Sequence, residues 1–224
     1  MTSLLPPAAG PVLTGLARQA IADRLGRRRR NGSRADAAGS DAADSAARDS
    51  AGSVARDSAV AAGAVGSDAA VEALLERPGA AFVTLTQGGE LRGCIGSLEA
   101  WRPLRADVQA NALAAAFDDP RFPPLRADEL DRTRIEVSVL SAPEPLEFAD
   151  RADLLARLRP GVDGLILHTR GHRGTFLPQV WEQLPTPELF LAHLVRKAHL
   201  PAGYWSDDVR IDRYTVTAFE ENSG

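Results

Sequence analysis

Cysteine is almost missing from this sequence: Cys94 is the only one among 224 residues. A chain with a single thiol forms no internal disulfide and cannot build a zinc site from several thiolates. A lone free thiol suits a reducing compartment, and the N-terminal residues lack the basic start and apolar stretch of a signal peptide. We therefore expect a cytoplasmic protein.

Long apolar runs and an excess of positive charge are also missing. No run approaches the roughly 20 apolar residues that span a bilayer, and the formal net charge is -4. These absences argue against a membrane partner and against a general attraction to nucleic acid. Aromatic residues make up only 5% of the chain, so aliphatic side chains must supply most of the core.

Residues 31–68 are poor in apolar side chains. They consist mainly of alanine, serine, glycine, aspartate and arginine, with Ala-Arg-Asp-Ser at 47–50 and again at 55–58. Such a composition buries too little surface to offset chain entropy, and it predicts a disordered, low-complexity insertion within a single domain spanning residues 1–224. We expect the preceding run Arg27–Arg30 to be a solvated basic loop, with phosphate binding as the alternative.

The rest of the chain has patterns typical of helices and strands. Apolar residues at helical spacing predict helices at 13–25, around 71–75, at 104–117, at 150–158 and after Thr186. Alternation and turn residues predict strands at 81–86, 90–97, 134–140, 165–169, 175–177 and 209–219, with a turn at 170–174. Strands joined by hairpins and interleaved with helices predict an α+β fold with a largely antiparallel sheet and flanking helices.

One strand carries the strongest chemical signal, the hexapeptide 91–96 with the sequence Leu-Arg-Gly-Cys-Ile-Gly. Strand alternation predicts that Arg92 and Cys94 share one face. Glycines inside strands are unusual, and Gly93 and Gly96 would leave the sulfur accessible. Arg92 could then stabilise the Cys94 thiolate, which suits a nucleophile or an anion-binding site. The alternative is a small buried hydrophobic residue.

Three further residues are candidates for the same chemistry. His168 is an acid–base candidate for an activated thiol, with a hydrogen-bonded structural histidine as the alternative. Glu136 lies on the polar face of its strand, where it could pair with Arg92, act as a base or simply face solvent. Arg121 follows a helix in a proline-rich loop, where it either forms an ion pair or lines a cleft for an anionic ligand.

Metal binding is disfavoured by the sequence. His193 and Lys197 have the four-residue spacing of two helical ligands, but the lysine charge repels a cation. The sequence therefore predicts no metal site, and it leaves the cofactor unknown.

Several segments together resemble a known family. These are the hexapeptide 91–96, Ala-Ala-Phe-Asp-Asp-Pro-Arg-Phe-Pro-Pro-Leu at 115–125, Ile-Glu-Val-Ser-Val-Leu at 135–140, Pro-Gly-Val-Asp-Gly-Leu at 160–165, Thr-Phe-Leu-Pro-Gln-Val-Trp at 175–181 and Lys-Ala at 197–198. In this combination the chain resembles the AMMECR domain family, called protein A of the AmmeMemoRadiSam system in prokaryotes. The resemblance covers roughly residues 11–25 and 71–220.

The resemblance implies a larger and a smaller subdomain around a cleft, with the hexapeptide near that cleft. It also implies association with a Memo-type protein and a radical S-adenosylmethionine enzyme. Two features depart from the family pattern. These are the insertion at 31–68 and His199, which stands where the family typically has glycine.

Two hypotheses about function follow. In the first, the protein is an enzyme or enzyme component acting on a small anionic metabolite. Cys94 is then the nucleophile or carrier, Arg92 its activator, Glu136 and His168 the acid–base partners, and the substrate-binding residues are Gly93, Gly96 and Arg121. In the second, the protein is a non-catalytic interaction subunit that works with the Memo-type and radical enzymes.

Overall fold

The computed structural model describes residues 5–37 and 64–221. Its strands form two separate four-stranded sheets in which every described pairing is antiparallel. Each sheet packs against helices through its own hydrophobic core, so the chain folds into two lobes. The predicted α+β fold is confirmed. No helix among the described residues is long and apolar enough to cross a membrane.

The first lobe contains most of the N-terminal part of the chain and returns to the C-terminus for its last strand. Its sheet has the order β2-β1-β3-β8. Its elements are α1 (Ala9–Ala37), α2 (Ala64–Leu75), β1 (Ala80–Gln87), β2 (Glu90–Gly96), α3 (Leu104–Phe117), β3 (Thr133–Leu140) and β8 (Val216–Glu220).

The second lobe is inserted between β3 and β8. Its sheet has the order β4-β7-β5-β6. Its elements are β4 (Glu144–Pro145), α4 (Arg151–Arg157), β5 (Gly164–Thr169), β6 (His172–Phe176), α5 (Pro187–Lys197) and β7 (Arg210–Tyr214).

Alternation along the strands gives the first sheet two different faces. The inner face, which includes Val83, Leu85 and Val137, is fully buried beneath α1 and α3. Burying an aliphatic side chain of this size stabilises the fold by about 1.5–3 kcal/mol. Among the described residues, no helix of the first lobe covers the opposite, outer face, which is the face on which the site lies.

The hairpin between β1 and β2 fixes the position of the hexapeptide. Gly88 and Gly89 have positive φ angles of 58° and 86°, the backbone that a two-residue hairpin turn requires. The register shifts further along, since Leu85 pairs with Gly93 whereas Thr86 pairs with Leu91. Arg92 is therefore the extra residue of a β-bulge.

Two predictions for the N-terminal region need correction. The predicted helix at 13–25 is part of the longer α1, and the run Arg27–Arg30 lies within this helix rather than in a loop. The two ends of the predicted insertion, 31–37 and 64–68, are helical as well. Composition alone missed this because alanine and arginine are strong helix formers. The rest of the insertion, 38–63, lies outside the described residues.

The predicted closing strand at 209–219 is wrong as a single element. β7 belongs to the second sheet and β8 to the first, and Thr215 stands between them. Thr215 and Ser141 join the two lobes, because Ser141 N donates to Thr215 O at 2.9 Å and Thr215 N donates to Ser141 Oγ at 3.0 Å. Periodicity cannot detect this change of sheet, since both halves alternate in the same way.

The hairpin of the second lobe is tighter than predicted. Only Arg170 and Gly171 form the turn, both with positive φ, and His172 begins β6. The predicted start of α5 is confirmed, because the Thr186 side chain accepts a hydrogen bond from Leu189 N.

The second residue after α5 has the backbone conformation that accounts for a glycine in the family pattern. His199 has a φ of 59°, and the amides of His199 and Leu200 close the helix onto the carbonyls of Arg196 and Val195. This left-handed position at a helix end favours glycine, which lacks the Cβ atom that makes the conformation unfavourable.

We therefore predict that His199→Gly stabilises the protein. Removing the left-handed strain should raise the free energy of unfolding by about 1 kcal/mol, measured by urea denaturation. His193→Gly, inside α5 with ordinary helical geometry, is the control and should lower it by about 1 kcal/mol. A loss of stability in His199→Gly would contradict this account.

Candidate functional site

Cys94 lies on β2, the edge strand of the first sheet, and its half-buried side chain belongs to the outer face. Thr84 is its partner on β1, and the Thr84 hydroxyl donates a hydrogen bond to the Cys94 sulfur at 3.4 Å. Glu136 pairs with Thr84 from the other side, on β3. Thiol, hydroxyl and carboxylate thus form a row across three strands.

Glu136 occupies the far end of this row. Its carboxylate accepts a hydrogen bond from Ser138 Oγ at 2.9 Å, and Ser138 is buried on the same face. β1 separates Glu136 from the hexapeptide strand, so the suggested pairing of Glu136 with Arg92 does not occur.

Arg92 is directed to the other side of the sheet by the bulge. Its guanidinium contacts the Glu129 carboxylate at 3.3 Å, and both side chains are only 12% exposed. Gln87 also donates to Glu129, and Gln87 belongs to the inner face of the sheet. The expectation that Arg92 and Cys94 share a face is therefore wrong, since simple alternation does not allow for a bulge.

Glu129 is ionised at neutral pH in this arrangement. Burial raises the pKa of the Glu129 carboxyl, but hydrogen bonds from the Arg92 side chain and the Arg126 amide outweigh burial and hold that pKa below its usual range. The Arg92–Glu129 pair therefore ties the bulged start of the hexapeptide to the segment that leads into β3.

The loop after α3 closes the free edge of β2 at Cys94. The buried Asp119 carboxylate accepts hydrogen bonds from Cys94 N at 2.9 Å and from Arg121 N at 3.1 Å. The Arg121 guanidinium contacts Asp119 at 2.7 Å and donates to Cys94 O at 3.1 Å. Both outward backbone groups of Cys94 are thus satisfied by this one pair of residues.

The electrostatics of this loop favour an ionised pair. Hydrogen bonding to Arg121 is the main reason that the pKa of Asp119 lies well below its usual range. The pKa of Arg121 is raised, mainly by Asp119 and further by its interaction with Cys94. Arg121, rather than Arg92, is therefore the cation held beside Cys94, and its side chain is 53% exposed.

The two glycines of the hexapeptide allow close packing. A Cβ atom on Gly93 would lie 2.2 Å from the Ala115 carbonyl oxygen of α3, and one on Gly96 would lie 2.2 Å from the Phe82 ring. Gly93 is buried against the helix and Gly96 lies beneath an aromatic ring. Both glycines therefore meet a packing requirement, and the accessibility of the Cys94 sulfur that the sequence predicts is a separate property.

A buried polar network under the end of β2 was missed by the sequence analysis. Asp107 is completely buried and accepts hydrogen bonds from Ala81 N, Ser97 Oγ and Arg102 Nε at 2.7–2.9 Å. Asn111 donates to both Asp107 and Ala81 O. The sequence contains one signal for this network: Asp107 and Asn111 are polar residues four apart on the otherwise apolar face of α3.

The acid–base candidate His168 lies in the second lobe, as does the neighbouring His172. His168 is on β5, where its Nε2 lies 3.1 Å from the Asp212 carboxylate, and no hydrogen bond joins it to Cys94 within the described residues. His172 Nδ1 lies 3.0 Å from Ala198 O. The structure thus supports the alternative of a hydrogen-bonded structural histidine for His168 and does not bring it into the row.

The Asp119 interactions generate a prediction about pH. Because the pKa of Asp119 is lower in the folded state than in the unfolded chain, its contribution to stability is fully present at neutral pH. The contribution decreases progressively once the pH falls below the unfolded-state pKa of about 4, and it is lost completely only below the folded-state pKa. Asp119→Asn should reduce the free energy of unfolding by about 2 kcal/mol at pH 7. Urea denaturation should show this difference shrinking at pH 3.

The neighbouring exposed residue provides the control for this experiment. Asp118→Asn changes the same charge one residue earlier, on an exposed side chain at the end of α3, and should leave stability almost unchanged. An equal effect of the two substitutions would contradict the assigned role of Asp119.

Comparisons with known proteins agree with this fold. The family model described as AMMECR1 matches residues 16–219, a range that contains the hexapeptide and the Asp119 loop. A protein of Methanothermobacter thermautotrophicus is 43% identical over 147 residues, covering 63% of this chain and 74% of the relative. A protein of Saccharolobus solfataricus is 44% identical over 160 residues, covering 66% and 68% of the two chains.

A solved structure gives the same result for the fold. The chain is similar to an uncharacterized protein of Pyrococcus horikoshii, with a TM-score of 0.65 and 29% sequence identity over 97% of this chain and 93% of that one. The family match and the structural similarity both extend over nearly the whole chain. The chain belongs to the AMMECR1 family.

Proposed function

We propose that the protein acts as a thiol-dependent enzyme or enzyme component on a small anionic molecule that binds beside Cys94. The observation that carries this proposal is the position of Arg121. Its guanidinium contacts both Asp119 and the Cys94 carbonyl, while half of the side chain stays exposed. Arginine is well suited to carboxylate and phosphate groups, because its planar N–H donors match their geometry.

Each residue of the site has a distinct role in this proposal. Cys94 is the nucleophile or transient carrier, since the thiolate is the reactive form of cysteine. Arg121 binds the anionic group of the ligand, and it replaces Arg92 as the cation that stabilises the thiolate. Thr84 orients the sulfur through its hydrogen bond. Glu136 is the carboxylate on the same sheet face and the candidate proton acceptor.

Two alkylating reagents of nearly equal size test the proposal. Iodoacetate is an anion and iodoacetamide is neutral, and Cys94 is the single thiol in this chain that either reagent can alkylate. If Arg121 attracts anions to Cys94, Arg121→Gln should lower the ratio of the iodoacetate rate to the iodoacetamide rate by about threefold, as expected for a partly exposed charge. Arg121→Lys should retain most of the ratio.

The control is a more exposed arginine, Arg126, which is 76% exposed. Arg126 pairs with Asp128 at the surface, and Arg126→Gln removes the same charge without altering the Cys94 loop. A ratio that falls equally in both variants would assign the effect to net charge. Labelling of Cys94 only after unfolding would contradict a reactive thiol.

A second candidate function is an interaction subunit for a Memo-type protein and a radical S-adenosylmethionine enzyme. The observation in its favour is the surface around β2. Leu91, Leu98 and Trp101 are 42%, 37% and 70% exposed, and they flank the two ends of the hexapeptide strand. Exposed aromatic and aliphatic side chains favour a protein contact, and Leu98 and Trp101 lie three residues apart in the segment that follows β2.

This second function predicts a loss of partner binding in surface variants. Leu98→Ser combined with Trp101→Ser should weaken co-purification with the Memo-type and radical proteins of the same genome at least about tenfold, as expected when an aromatic anchor is removed. Val162→Ser is the control, because Val162 is 44% exposed on the second lobe. Unchanged binding in the double variant would exclude this surface as the contact.

A further inference from the structure

The second lobe contains a groove that the proposed function does not use. Its volume is about 660 Å³, and its two walls are the segment 145–150 after β4 and the segment 205–212 that leads into β7. Phe148 from one wall and Trp205 from the other are in contact with each other, with ring centroids 5.8 Å apart and an angle of 51° between the ring planes. Both aromatic side chains are half-buried.

Hydrogen bonds on either side of Trp205 hold this wall in place. Tyr204 Oη lies 3.0 Å from Ser206 Oγ, and Ser206 Oγ donates to the Asp208 carboxylate. Thr169 of β5 donates to the same carboxylate at 2.8 Å. These bonds fix the loop to the sheet. The groove therefore has its shape before any ligand binds.

The groove carries an excess of negative charge. Four carboxylates line it, those of Glu147, Asp150, Asp207 and Asp212, against the single guanidinium of Arg210. Arg210 is held by backbone carbonyls, because its Nη1 donates to Asp207 O and Val209 O at 3.1 Å.

Two of these carboxylates remain available to a ligand. Asp150 caps α4 and Asp212 pairs with His168. By contrast, Glu147 and Asp207 are exposed, and neither side chain forms an ion pair within the described residues. They stand on opposite walls, one on each segment.

We propose that this groove binds a basic, extended segment of a partner protein. The aliphatic stem of an arginine or lysine would lie against Phe148 and Trp205, where the cation also interacts favourably with the aromatic faces. The charged groups of the segment would pair with Glu147 and Asp207. Available carboxylates on both walls favour a segment with several positive charges over a ligand with one.

Fluorescence anisotropy with a fluorescein-labelled tetra-arginine peptide tests this proposal on the full chain. We expect saturable binding that Glu147→Gln combined with Asp207→Asn weakens at least tenfold. Trp205→Ala should weaken it as well, through loss of the aromatic contact. The double variant alters only exposed side chains, so it tests the proposal even if Trp205→Ala fails to fold.

A matched double variant separates the groove from overall charge. Glu90→Gln combined with Glu182→Gln also removes two exposed carboxylates, and it should bind the peptide within twofold of the original protein. Equal weakening in both double variants, or no binding of tetra-arginine to the original protein, would overturn the proposal. Self-association of the protein that disappears only in Glu147→Gln with Asp207→Asn would assign the groove to a second copy and would also overturn it.

Discussion

The arrangement of the site depends on one constraint, the unpaired edge of β2. An edge strand presents backbone N–H and C=O groups that must find partners or remain open to other chains. At Cys94 both groups are taken by the Asp119–Arg121 pair. The loop that supplies this pair begins at the end of α3 and is held at its far side by the Leu125 amide, which bonds to Ala116 O at 2.7 Å. Helix, loop and strand therefore fix one another.

The bulge at Arg92 determines how the hexapeptide divides between the two sides of the sheet. Arg92 is paired with Glu129 on the helix side, and Gly93 lets α3 approach the strand. Cys94 then falls on the outer face. Without the bulge, a strictly alternating strand would place the arginine beside the thiol. The bulge thus separates the Arg92–Glu129 ion pair from the Cys94 thiol and leaves Arg121 as the cation beside Cys94.

The sequence predicted well what depends on neighbours along the chain. The bounds of α3 and the β1–β2 hairpin follow from helical spacing, strand alternation and a glycine turn. The sequence did not predict the features that depend on contacts between distant segments of the chain. The bulge depends on pairing between two strands, and the change of sheet at Thr215 depends on which distant strand each half joins. The role of Arg121 depends on a loop folding back to β2, which no local pattern records.

The strand that forms one wall of the groove leads directly into the sheet that carries the Cys94 site. β7 forms part of the groove wall, and after Thr215 the chain continues directly as β8, which pairs with β3 and so lies beside Glu136. A second link joins the lobes at the surface, where Arg173 of β6 pairs with Glu99 just after the hexapeptide strand. A ligand in the groove would therefore contact β7, which is continuous with β8 of the first sheet. Such continuity transmits an effect only if the ligand prefers one of two lobe arrangements, because a ligand shifts a conformational equilibrium by no more than its difference in affinity for the two states.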